Sequence, residues 1–136
     1  MDLIEPNNTK LIMLLNTWSK EPIFKNYEKV MDELMNGNSF LMLPSQNDDQ
    51  TEKKWRVSQG ETLSLTCIFE VDGIKIIGGF TDDEAIVRWA KGHTTYTSIR
   101  SQEVLQLCER ESIYKIVINS NSPNIFLAQQ NTLKIN

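Results

Sequence analysis

Three side chains in this sequence have the chemistry to act as a nucleophile or as a base near neutral pH: His93, Cys67 and Cys108. A thiol activated by an imidazole needs the two groups in contact and a carboxylate to orient the base. His93 is the single histidine and follows Gly92 at an expected helix end, where an imidazolium sits well against the negative terminus. Both cysteines fall in apolar-periodic segments without a CxxC pair, the pattern of buried, reduced thiols. A histidine-based zinc site is less expected still, since it needs three or four nitrogen, sulfur or oxygen ligands brought together. Gly78-Gly79 lacks the following Lys-Ser/Thr of a phosphate loop and the spacing of a dinucleotide turn. The sequence therefore predicts no catalytic residues, no metal and no cofactor. The enzyme that it least resists is a thiol-dependent one using Cys108 or Cys67 with His93.

Charged and aromatic clusters offer a different chemistry, that of recognition. Asp48, Asp49 and Glu52 precede Trp55-Arg56 inside a polar stretch from Ser45 to Gly60. Tryptophan and arginine are enriched at interface hot spots, and a carboxylate patch speeds encounter with a basic partner. Asp82 and Asp83, with Glu84, form a second acidic group. Its first duty is electrostatic support of a helix N-terminus. Adjacent loop acids do not reproduce the separated carboxylates of a glycosidase. The expected partner-binding residues are thus Asp48, Asp49, Glu52, Trp55 and Arg56, with Asp82 and Asp83 as a second patch.

Elements that must position these groups are legible from periodicity. Leu11, Ile12, Leu15 and Trp18 share one helix face over about residues 8–20, capped by Asn7, Asn8 or Thr9. Pro22 opens a second helix with Phe24, Tyr27, Met31 and Leu34 as its stripe and Gly37 as a left-handed stop. Phe40–Leu43, ending at Pro44, reads as a buried strand. From Thr62 the period changes to two, and Asp72-Gly73 predicts a hairpin into Ile74–Ile77 that bends or ends at Gly78-Gly79.

A capping box of Thr81 and Glu84 starts a third helix, with Ala85, Ile86, Trp89 and Ala90 inward and Gly92 as its stop. Residues 94–99 form a strand. Ser101 caps a fourth helix carrying Val104, Leu105 and Cys108. Strands follow at 114–118 and 125–127, separated by the turn chemistry of residues 119–124. The order ααβ, loop, ββ, αβαββ predicts an α+β fold, with two N-terminal helices followed by a mixed sheet with interspersed helices.

Composition agrees with a single domain over residues 1–136. The chain is 40% apolar and 24% charged, ordinary for a globular protein. A formal net charge of −4 leaves no basic footprint for nucleic acid. No helix carries the basic amphipathic face of a membrane-surface segment, and no apolar run reaches the length of a membrane span. Met1–Pro6 lacks the basic and apolar regions of a signal peptide, so the expected location is the cytoplasm.

Gly79-Phe80-Thr81-Asp82-Asp83-Glu84-Ala85 followed by Trp89 resembles the "vFTs.eal..w" segment of the SseB N-terminal-domain family, the enhanced serine sensitivity proteins. Ile116–Asn119 followed by Ser122-Pro123 resembles that family's "ivINP.SP" turn, with Ser120 in place of the usual proline. Leu15 and Trp18, with the strand ending Leu43-Pro44, match its "s.fyvP" region. The resemblance implies an α+β domain without established enzymatic chemistry. Relatives look like components of bacterial secretion and toxin–immunity neighbourhoods. It therefore implies a non-enzymatic protein-binding domain, with a bacterial immunity protein that neutralises a basic toxin as the leading expectation. A small-molecule-sensing regulator linked to amino-acid metabolism is an alternative.

Overall fold

Leucine and isoleucine side chains from three helices and two sheets converge on one apolar core in the computed structural model, which describes residues 7–46, 55–56, 62–65, 68–91 and 95–129. The helices are α1 (Thr9–Lys20), α2 (Phe24–Asn36), α3 (Asp83–Ala90) and α4 (Ser101–Arg110). The strands are β1 (Phe40–Gln46), β2 (Trp55–Arg56), β3 (Thr62–Leu65), β4 (Ile68–Val71), β5 (Ile74–Gly79), β6 (Tyr96–Arg100), β7 (Ile113–Ile118) and β8 (Phe126–Gln129). They form two four-stranded sheets, ordered β2-β3-β1-β6 and β4-β5-β7-β8. The β5–β7 pair is parallel and every other pair antiparallel, so the fold is α+β with mixed pairing, as expected.

β1 carries an unbroken apolar run because both its faces are covered. Leu41 and Leu43 face the main core with Leu11, Leu15, Val30 and Leu34, while Met42 joins Phe80, Ala85 and Ile86 beneath α3. Helices α1, α2 and α4 pack on one side of the sheets, and α3 contributes to the smaller cluster on the other. Trp18 and Tyr27 close the main core on Phe126, with ring centroids 5.7 and 5.1 Å from it.

The sheets join where Met42 and Phe80 exchange both backbone hydrogen bonds, at 2.8 and 3.1 Å. There β5 ends at Gly79, where an added Cβ would stand 3.3 Å from Leu41 Cβ and 3.4 Å from Leu43 Cδ2. That crowding explains the second glycine of the pair. The β4–β5 hairpin turns at Asp72 and Gly73, with φ of 52° and 79°, the positive values for which Asp-Gly was read as a turn.

Several local readings are corrected. The N-cap of α3 is Asp82, whose Oδ1 accepts from Ala85 N at 2.8 Å, and not Thr81. Lys91, with φ 60°, is its left-handed C-cap; Gly92 lies outside the described residues. Gly37 is extended, at φ −91° and ψ −161°, and not left-handed. It is glycine because the Glu33 carboxylate lies where its Cβ would be. Pro22 precedes α2, which is capped at Ile23, and Phe24 points outward at 70% exposure. Ser101 is the first residue inside α4, and its hydroxyl bonds the Ser39 hydroxyl at 2.8 Å. Asn8 does stand at the N-cap of α1, but its side chain makes no cap hydrogen bond. Instead it accepts from Phe40 N and donates to Phe40 O and Thr81 O, clamping α1 to β1 and to the start of α3.

Candidate functional site

The first candidate site is polar and grows from the turn after β7. Asn119, at φ 57°, ends that strand with its side chain buried against Thr81. Thr81 N donates to Asn119 Oδ1 at 3.0 Å, and Asn119 Nδ2 donates to Thr81 Oγ1 at 3.0 Å and to Asn124 Oδ1 at 3.3 Å. Asn124 Nδ2 reaches Asn16 Oδ1 on α1 at 3.1 Å, and Ser19 Oγ donates to Pro123 O at 2.8 Å. From α3, Arg88 Nη1 donates to Ser122 Oγ at 2.6 Å. Between α1, the first turn of α3 and the 119–124 turn lies a cleft of about 390 Å³, with Lys20, Glu84 and Arg88 among its lining residues. Its wall is thus mostly amides, hydroxyls and the four ionisable groups of Lys20, Asp82, Glu84 and Arg88.

The second candidate is apolar. Register puts Ile68, Ile77, Ile116 and Ala128 in one row across β4-β5-β7-β8, and all four are buried. The opposite face carries Phe69, Val71, Ile74, Ile76, Val117 and Leu127. Phe69 is 45% exposed, Val71 53% and Leu127 43%. Among the described residues, α3 meets this side at one end, where Trp89 packs on Phe80 with centroids 5.3 Å apart and lines a groove with Phe69 and Val117. One cation, Lys115, stands in the row of Phe69 and Ile76.

The seven residues expected from sequence to bind a partner are not gathered into one patch by the described structure. Asp48, Asp49 and Glu52 lie outside the described residues. Trp55 and Arg56 belong not to a loop but to β2, an edge strand paired with Leu63 and Thr62. Asp82 is committed to capping α3. Asp83 sits in the exposed first turn and accepts the hydroxyl hydrogen bond of Tyr96, which, followed by slight desolvation, raises the Tyr96 pKa. Cys108 is a fully buried thiol on α4, as its apolar setting predicted. Cys67 and His93 lie outside the described residues. No group of three or more histidine, cysteine or carboxylate side chains suited to a metal occurs among the described residues. Among them, too, no helix is long and apolar enough to cross a membrane.

Sequence reading missed the uncovered sheet face, although a signal existed. Adjacent apolar pairs, Ile68-Phe69 and Ile76-Ile77, occur on both strands of the hairpin, so both of its faces must be apolar. Within β4, Ile68 turns inward and Phe69 outward.

Element order, mixed pairing and the Thr81–Asn119 junction define an α+β domain whose short motifs position the entry of α3 and the turn after β7. The family model of the SseB protein N-terminal domain matches residues 11–131, and the chain belongs to that family. Neither a curated protein nor a solved structure matches it.

Proposed function

We propose that this chain is a non-enzymatic protein-binding domain whose contact surface is the uncovered face of the β4-β5-β7-β8 sheet. The single observation that carries the reading is that face: a central, core-forming sheet leaves Phe69, Val71, Ile74 and Leu127 in solvent. Clustered exposure of this kind marks interaction surfaces, whereas isolated apolar residues need no explanation. The partner we propose is a bacterial toxin with a basic surface, which the domain occludes as a cytoplasmic immunity protein. The net charge of −4 favours encounter with such a partner at long range, and the resemblance to toxin–immunity relatives points the same way. Burial of Cys108 removes one of the two thiols on which a catalytic reading would rest.

Co-expression with the protein encoded by the adjacent gene tests this. The wild-type chain co-purifies with it and suppresses its toxicity. Phe69→Asp and Leu127→Asp, on exposed sites, keep the fold and lose both effects. Retention of partner and protection by both variants overturns the assignment of the face.

The polar cleft supports a second reading, a small-molecule-sensing regulator. Its volume of about 390 Å³ lies within the range of ligand pockets, and Lys20, Arg88 and Glu84 supply both signs of charge. A thermal-shift screen of amino acids and related metabolites checks it, since a ligand of the folded state raises the midpoint.

A further inference from the structure

We infer that a groove at the α3 end of the uncovered face is the anchor point of the interaction, and that it receives one aliphatic side chain from a different protein. The inference rests on the protein-binding reading above and adds the chemistry of the occupant. Phe69, Ile76, Phe80, Trp89 and Val117 wall the groove, which measures about 110 Å³. Gly78 lies among them, on the same face as Ile76 and directly beside Val117. Its lack of a side chain leaves the depression that its bulkier neighbours surround. The wall is preformed: Phe80 is buried and packed against Trp89. A preformed, largely apolar groove of this kind, with Ser120 also in its lining, is where interface energy concentrates.

Size selects the guest. An engineered apolar cavity of about 150 Å³ is known to hold benzene, so this smaller groove suits leucine, isoleucine or methionine better than an aromatic ring. Charge adds a second constraint. Lys115 is level with Ile76 in the parallel β5–β7 pairing, so a carboxylate close to the anchor in the partner would pair with it. Pairing at contact distance is set by Lys115, whatever the partner's charge elsewhere.

Area argues against a second copy of this chain. Four strands about 4.8 Å apart and some five residues long present a face of roughly 300 Å². Two copies back to back would bury about 600 Å², well below the ~1,200 Å² of the smallest stable specific interfaces. The occupant must therefore reach past the rim of the sheet, as a different protein can.

A displayed library of random linear peptides, selected on the immobilised full chain, tests the inference. Enriched peptides carry Leu, Ile or Met with Asp or Glu within two positions. Their binding weakens at least tenfold in Gly78→Val, which fills the groove, and less in Gly78→Ala, which adds one methyl. Gly78 is not among the positive-φ glycines, so both variants suit its backbone, and unchanged circular dichroism and melting midpoint verify the fold. Lys115→Glu shifts the selected charge from acidic to basic. Absence of enrichment, enrichment without an aliphatic anchor, or unaltered binding by both glycine variants overturns the inference. The co-purifying protein separates the two levels. If it is lost by Phe69→Asp but kept by Gly78→Val, the face stands and the groove falls. If it is kept by both, both fall.

Discussion

Asn119 and Thr81, 38 positions apart in sequence, lock side chain to backbone and side chain to side chain, at 3.0 Å in each case. The pair ties the turn after β7 to the entry of α3. Both residues are buried, so neither water nor a neighbour replaces a lost bond cheaply. Asn119→Ala removes both of these hydrogen bonds and the one to Asn124, and places a Cβ-bearing residue without a compensating polar group at φ 57°. The expected loss is about 3 kcal/mol, from unsatisfied buried groups and left-handed strain together. Asn119→Gly relieves the strain and retains the hydrogen-bond loss, so it costs less by about 1 kcal/mol. Urea denaturation of the two variants checks the order.

Asp82 contributes to stability before it contributes to any partner. Its carboxylate caps α3, so Asp82→Ala costs about 1 kcal/mol. Asp82→Asn and Asp82→Ser retain an acceptor and recover most of that. Thermal melts of the three variants distinguish this from a purely surface role, in which all would match the parent.

Gly37 has a packing requirement and not a conformational one. Gly37→Ala drives a methyl into the Glu33 carboxylate, which accepts from Asn38 N at 3.2 Å. The expected cost is about 1–2 kcal/mol, typical of overpacking with a displaced acceptor. Glu33→Ala with Gly37→Ala relieves the clash, so the double variant is more stable than the sum of the single losses. A double-mutant cycle in denaturant measures that coupling.

Tyr96 and Asp83 predict a high-pH effect. Hydrogen bonding to the Asp83 carboxylate raises the Tyr96 pKa above its ordinary value of 10.0, so the folded state binds that proton more tightly than the unfolded state. The contribution is complete below pH 10 and is lost as pH rises through the folded pKa. Stability therefore falls more steeply above pH 10 in the parent than in Tyr96→Phe or Asp83→Asn. The midpoint measured from pH 8 to pH 11 shows the difference.

Cys108 is predicted to be inert in the native state. In a Cys67→Ser background, alkylation at neutral pH is slow and accelerates only as denaturant unfolds the chain, because the thiol is fully buried. Rapid native labelling at Cys108 would contradict the packing of α4.

Helix stripes and the Asp-Gly hairpin were legible in the sequence because their signals are local. Leu11 and Leu15, or Asp72 and Gly73, act within a few residues of themselves. The misassigned ends share a different cause. Thr81 fits a capping box by spacing, but Asn119 engages it from across the fold and Asp82 takes the cap. Gly37 looks like a left-handed stop, but Glu33 claims the space beside it. Of the candidate sites, the acidic and aromatic stretch drew notice through composition. The sheet face escaped it because exposure depends on which strands are neighbours, and the β5–β7 pairing spans 38 residues from Lys75 to Ile113.

Met42 and Phe80 stitch the sheets together by one reciprocal pair of backbone bonds. Phe80 is also a wall of the groove on the far side. A guest lodged there would press on the very residue that fastens the seam, so occupancy outside would be registered by the β1 backbone within. Slower deuterium uptake at the Met42 and Phe80 amides would then be the earliest internal trace of an external contact.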